Sequence, residues 1–244
     1  MNIYSGFTKK GKTKKKFAVL IDPDKISKKK LNEVIEIATK SAVDYFFVGG
    51  SLLTNDQLDE TIKTLKGNSN VPVIIFPGNN LQVNKNADAI LLLSLISGRN
   101  PEMLIGKHVI SAPYLKKSGL EIISTGYMLI ESGKTTAVQY ISNSIPIPSD
   151  KPDIAVCTAM AGEMLGLKTI FMDAGSGAIL TISEKMIASV KQHISIPLII
   201  GGGIRTPEKA HDVCFAGADI VVVGNAIEEN SRLIENIADA VHLI

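Results

Sequence analysis

Short apolar runs recur along the chain, and longer amphipathic stretches separate them. Phe17–Ile21, Tyr45–Val48, Val73–Phe76 and Ala89–Leu93 are rich in β-formers and apolar at consecutive positions. Runs of that kind suit parallel strands covered on both faces, whereas half-exposed strands alternate. Ile122–Ile130, Thr169–Met172, Leu198–Ile200 and Ile220–Val223 extend the series to eight predicted strands. The segments between them carry helical spacing. Ser27 is placed to cap a helix running to about Lys40, with Leu31, Val34, Ile35 and Ala38 on one face. Pro207, after Thr206, suits a first helical position, and Gly217 suits that helix's end. Eight alternating units predict an α/β chain folded as a (β/α)8 TIM barrel. A doubly wound open sheet is the structural alternative. The weakest pattern lies between Leu93 and Gly119, so one irregular unit is expected mid-chain. Gly133–Asp150 is long and polar, and contains Pro146 and Pro148. It reads as a lid or as an ordinary surface loop.

Composition narrows the class. The chain has 244 residues, 45% hydrophobic and 20% charged, with a net charge of +2. That excludes a disordered chain, and two cysteines exclude a disulfide scaffold. Cys157 and Cys214 fall in helical patterns and read as buried small hydrophobes. Six of the positive charges, Lys9, Lys10, Lys12, Lys14, Lys15 and Lys16, precede residue 17, so the rest of the chain is net acidic. Residues 1–16 therefore read as a basic arm and 17–244 as a single barrel domain. The arm reads as solvated, or as a contact for a polyanion such as a peripheral membrane surface. No basic surface for nucleic acid is indicated. The longest apolar stretch, Ala89–Ile96, is interrupted by Ser94 and falls short of the ~18 residues of a transmembrane span. No signal-peptide core precedes Asp22. The expected location is cytoplasmic.

Candidate chemistry sits at the strand ends, where barrels of this class place their sites. Glycines at Gly175 and Gly177, Gly201 and Gly202, and Gly224 let the backbone approach an anion and converge its N–H groups on phosphate oxygens. A short helix after strand eight would add the positive end of its dipole. Ser176 and Asn225 add side-chain donors. Asp173 stands beside this cup as a candidate base or hydroxyl anchor, or as an Asx-type cap of its own turn. Asp22 and Asp24 bracket Pro23, and Ser51 ends the neighbouring strand. A carboxylate and a hydroxyl there suit Mg²⁺, although short acidic turns also simply cap loops. The four histidines show no zinc spacing. Tyr127 reads as reaching the cavity or as packing. Arg99, Asn100 and Glu131 read as surface groups.

The segments Ala18-Val19-Leu20-Ile21-Asp22-Pro23-Asp24-Lys25, Val48-Gly49-Gly50-Ser51, Asp173-Ala174-Gly175-Ser176-Gly177-Ala178, Gly201-Gly202-Gly203-Ile204-Arg205 and Gly224-Asn225 occur in matching order. With them the chain resembles the geranylgeranylglyceryl phosphate synthase family, related to the bacterial PcrB proteins. The likeness runs from about Phe17 to the C-terminus. It implies a Mg²⁺-dependent prenyltransferase that joins an isoprenyl diphosphate to the 3-hydroxyl of sn-glycerol 1-phosphate. It implies metal positions at Asp22 and Ser51. It further implies substrate positions at Phe171, Met172, Asp173, Ala174, Gly175, Ser176 and Gly177, at Gly201 and Gly202, and at Gly224 and Asn225. Lys25 and Tyr127 join these as candidate substrate contacts from the residues themselves. A homo-oligomer is also implied. Met160, Met164 and Leu165 could serve one, with core packing the more economical reading. Many relatives have Tyr and Glu where this chain has Phe171 and Asp173. The prenyl groove is expected near Tyr127, Ile130 and Gly133–Asp150. The alternatives are a sugar-phosphate isomerase or epimerase, and a catalytically idle phosphate- or lipid-binding barrel.

Overall fold

The computed structural model describes residues 2–8, 15–55 and 57–244. Eight parallel strands close into a barrel in sequence order. They are β1 (Lys16–Ile21), β2 (Tyr45–Val48), β3 (Val73–Ile75), β4 (Ala89–Leu95), β5 (Glu121–Leu129), β6 (Thr169–Asp173), β7 (Leu198–Gly201) and β8 (Ile220–Val223). β1 pairs with both β2 and β8, so no strand edge is left open. Side-chain alternation splits the apolar residues into two layers. Ala18, Phe47, Leu91, Ile123, Phe171 and Val222 fill the barrel interior. Phe17, Val19, Phe46, Ile90, Met128 and Met172 face the helices. This double burial is why the strands read as unbroken apolar runs.

The helices are α1 (Ile3–Thr8), α2 (Lys28–Lys40), α3 (Leu58–Asn68), α4 (Lys107–Ser118), α5 (Ala137–Ser142), α6 (Pro152–Met164), α7 (Glu184–Lys191), α8 (Pro207–Ala216), α9 (Asn225–Glu229) and α10 (Leu233–His242). Ser27 caps α2 by accepting the Lys30 N–H, and Leu31, Val34, Ile35 and Ala38 are its buried face. Thr206 caps α8 through the Lys209 N–H, with Pro207 opening the helix and Gly217 ending it.

The middle of the barrel is irregular in two places. No helix joins β3 to β4; residues 76–88 cross as a loop. Before α4, Glu102–Gly106 forms a π-helical turn. The missing helix leaves the flank of β3 and β4 uncovered by the usual layer.

Two expectations are corrected at the barrel's outer surface. The basic arm is not uniformly an arm. Lys16 begins β1, and α1 buries Ile3 and Phe7 against the N-terminal end of the barrel. The side chain of Phe7 meets Tyr45 edge-on at 5.2 Å. Lys9, Lys10, Lys12 and Lys14 lie outside the described residues. On α6 and just beyond it, Cys157, Met164 and Leu165 are exposed rather than core, because that helix covers the barrel mainly with Ala155, Ala159 and Gly162. Cys214 is buried, and burial pushes its thiol up to about 12. Among the described residues, no helix is long and apolar enough to cross a membrane.

Candidate active site

A cavity of about 340 Å³ opens at the C-terminal ends of the strands. Asp22, Lys25, Ser51, Tyr127, Phe171, Asp173, Gly175, Ser176, Gly177, Gly201, Gly202, Gly224 and Asn225 all line it. Met172 and Ala174 do not. Strand alternation turns both side chains toward the helix layer, which corrects the expectation that they reach a substrate. Ile130 likewise faces outward; its N–H bonds to Asp173 O and it bridges to Ile147.

The polar end is built from three loops. The Ser176 hydroxyl donates to Asn225 Oδ1 at 3.0 Å, and the Gly177 N–H reaches the same oxygen at 3.3 Å. The first two glycines after β7 close this end. A β-carbon on Gly202 would lie 2.8 Å from Ala174 N and 2.8 Å from Asp173 Oδ1, and its φ is +85°. Only glycine fits there.

Asp173 forms the floor. Its side chain is 8% exposed and held by two donors. The Gly175 N–H donates to Oδ1 at 2.7 Å, the Asx-type bond the sequence allows. The Tyr127 hydroxyl donates to Oδ2 at 2.5 Å. Burial pushes the Asp173 carboxyl above its ordinary range, and the bonds from Tyr127 and Gly175 oppose the rise without cancelling it. Tyr127 is held well above the usual phenol value, by burial first and by the Asp173 charge next. Phe171 stacks on Phe76 at 4.9 Å and meets Tyr127 edge-on at 5.7 Å, so three aromatic rings form one cluster that touches Asp173 through Tyr127.

At the β1 rim, next to the β8 loop, Asp22 Oδ2 pairs with Lys25 Nζ at 2.8 Å, and Oδ1 accepts the Asp24 N–H at 3.1 Å. Gly50 passes close over both oxygens, 3.1 Å from where its β-carbon would stand. Asp24 plays a different part. Its Oδ2 accepts the Thr54 N–H at 2.5 Å and the Asn55 N–H at 3.2 Å, tying the β1 loop to the β2 loop. Burial acts to raise its pKa, but these bonds outweigh it and hold the carboxyl low.

The apolar end runs out through the gap left by the missing helix. Phe76, Val83, Ile90, Leu92, Met103 and Leu115 line it, joined by Ala137, Val138 and Ile141 from the segment after β5. This apolar lining combines the segment after β5 with the 76–88 loop, β4, the Glu102–Gly106 turn and α4.

These features match a known group. The sequence model of the PcrB family matches residues 10–241. The chain belongs to the PcrB family. The geranylgeranylglyceryl phosphate synthase of Chitinophaga pinensis is 58% identical over 241 residues, covering 98% of this chain and 96% of that relative. The enzyme of the same name from Methanothermobacter marburgensis is 40% identical over 222 residues, covering 91% of this chain and 90% of the relative. The crystal structure of (S)-3-O-geranylgeranylglyceryl phosphate synthase from Thermoplasma acidophilum, in complex with its substrate sn-glycerol-1-phosphate, is 31% identical with a TM-score of 0.94 over the full length of both chains.

In this PcrB-family barrel the sequence reading missed several cavity residues. Glu228 of α9 lines the mouth near Asp22 and Lys25; burial raises its carboxyl, with the Lys25 charge opposing. Its position three residues after Asn225 was the available signal. Arg205 lines the rim and faces Glu229 at 3.6 Å. His108 of α4 lines the groove and bonds Leu93 O at 2.8 Å, leaving Nδ1 buried with no partner among the described residues. No local motif announced it.

Proposed function

We propose that the protein joins an isoprenyl diphosphate to the 3-hydroxyl of sn-glycerol 1-phosphate and releases diphosphate. The observation that carries this reading is one continuous cavity with a glycine-lined anion cup at one end, an apolar exit at the other and a buried carboxylate between them. An isomerase or epimerase of small sugar phosphates has no use for the apolar half.

The glycerol phosphate would occupy the cup of Ser176, Gly177, Gly202 and Asn225, with its 3-hydroxyl over Asp173. The prenyl tail would lie along Phe76, Leu92 and Met103. In the reaction the C1–O bond to diphosphate breaks and a bond from C1 to the glycerol oxygen forms. The hydroxyl proton passes to Asp173 Oδ1 or Oδ2, whose raised pKa makes it a better base than an exposed aspartate. The faces and edges of Phe76, Tyr127 and Phe171 surround the carbon that gains cationic character. Water excluded by this apolar wall cannot capture it.

The donors at the rim fit a hard cation, because Asp22 and Ser51 offer oxygen and stand beside the diphosphate end of the proposed pose. Mg²⁺ completes its shell with water and substrate phosphate, so one or two protein oxygens suffice to hold it. Bound there, Mg²⁺ would neutralise the leaving diphosphate as a Lewis acid. Lys25 stands ready to meet the same charge once its pair with Asp22 opens.

Purified protein incubated with Mg²⁺, sn-glycerol 1-phosphate and a series of prenyl diphosphates should release diphosphate and form an ether of matching mass. No ether with any chain length would overturn the reading.

A further inference from the structure

We propose that Lys134 supplies the positive charge of the phosphate cup, held over the Gly175–Gly177 turn by the segment that follows β5. The proposal deepens the functional reading above and rests on the cup taking a phosphomonoester.

The cup's own donors are neutral. They are the Ser176 hydroxyl and backbone N–H groups such as that of Gly177, and these two both point at Asn225 Oδ1. Arg205 stands at the rim but faces Glu229. A phosphomonoester carries close to two negative charges near neutral pH, and neutral donors alone leave much of that charge uncompensated.

Lys134 is exposed and stands just outside the cavity lining, next to this cup. Its Nζ lies 3.5 Å from where a β-carbon on Gly177 would stand. The backbone on either side is pinned to the same loop. Ser132, 2% exposed, accepts the Leu180 N–H through its carbonyl at 3.1 Å. Thr136, 5% exposed, packs its side chain into the space beside Gly175, with its atoms 2.7–2.9 Å from where a β-carbon would be. Lys134 is therefore suspended between two buried anchors, each two residues away. Among the described residues the ion pairs include none to Lys134. A lysine is a compact point charge with three donors, and it needs no bidentate geometry to hold a phosphate oxygen. The segment thus brings charge to the cup at one end and apolar wall to the groove at the other, through Val138 and Ile141.

The test uses the full chain with Lys134→Met and Lys134→Arg. Calorimetry measures binding of sn-glycerol 1-phosphate and, separately, of inorganic phosphate. Steady-state kinetics measure KM for each substrate and kcat. With Lys134→Met, Kd and KM for glycerol phosphate should rise about tenfold. The KM for prenyl diphosphate and kcat should stay within twofold, and Lys134→Arg should recover most of the loss. Raising the salt concentration should weaken binding to the wild type more than to Lys134→Met. Unchanged glycerol phosphate binding in Lys134→Met would overturn the proposal. So would an equal loss for both substrates with a lowered Tm, or no binding of either anion by the wild type. If the wild type binds glycerol phosphate but makes no ether, the prenyltransferase reading fails, and the calorimetric comparison still decides the role of Lys134.

Discussion

Of the roles its sequence context allows, Asp173 shows the Asx-type cap of its own turn, and its two oxygens divide between that cap and Tyr127. Oδ1 caps its own turn, and Oδ2 meets Tyr127. The first contact is local and legible in Asp173-Ala174-Gly175. The second joins residues 46 apart, and only the β5–β6 register, which sets Tyr127 beside Phe171, brings them together. The pairing has a signed consequence. Burial raises the Asp173 pKa, so the acidic limb of the kcat profile should lie above the ~4 of an ordinary aspartate. The Tyr127 bond lowers that pKa, so Tyr127→Phe should move the limb to higher pH. Asp173→Asn should lower kcat by about 10²–10⁴-fold and abolish the limb. A Tyr127→Phe profile shifted toward acid would contradict this account of the base.

At the scale of elements, periodicity located all eight strands and the capped helices α2 and α8, because double burial and side-chain caps leave marks within a few residues. It did not locate α1. A six-residue helix next to a lysine run has no periodicity to detect, and its partners come from distant parts of the chain. The Ile3 and Tyr4 N–H groups donate to Glu121, at the start of β5, at 2.5 and 2.8 Å. Gly6 lies so close to Tyr45 that a β-carbon would stand 2.5 Å from its hydroxyl oxygen. Glu121→Ala removes the acceptor at the helix N-terminus and should cost about 1–2 kcal/mol, by analogy with lost caps. Gly6→Val inserts volume against Tyr45 and should cost about 1–3 kcal/mol. For a chain of this size each kcal/mol lowers Tm by about 2–4 °C. Thermal unfolding measures the loss, and amide exchange in residues 3–8 should rise in both variants. Unaltered exchange there would mean that α1 does not depend on these contacts. The missing helix after β3 escaped the sequence reading for the opposite reason. Its loop is polar and glycine-bearing like any other strand end, and an absent element leaves no pattern.

The whole molecule depends on closing a barrel between the two ends of the chain, and one carboxylate stands at that seam. Asp44, just before β2, accepts from Lys16 Nζ at 2.8 Å, from the Phe17 N–H at 2.9 Å and contacts His242 Nε2 at 2.9 Å. It links the first strand, the second strand and the last helix. None of this was legible in sequence, because Asp44 and His242 are separated by nearly the whole chain. Burial acts to raise the Asp44 pKa, but the bonds from His242, Lys16 and Phe17 outweigh it and hold the carboxyl below its ordinary range. The linkage sign follows from that direction. The native state binds this proton more weakly than the unfolded chain does, so the stabilisation is fully present above the unfolded value near 4 and is lost as pH falls through the lower native value. Asp44→Asn should therefore reduce stability at pH 7 by about 2 kcal/mol, a partly buried multiple contact falling below the 3–5 kcal/mol of a fully buried pair. The difference between wild type and variant should shrink in acid, as protonation removes from the wild type what the substitution has already removed. Denaturant unfolding at pH 7 and at pH 3 measures both. A difference that stays constant between those two pH values would show that the seam is held by packing rather than by the Asp44 charge.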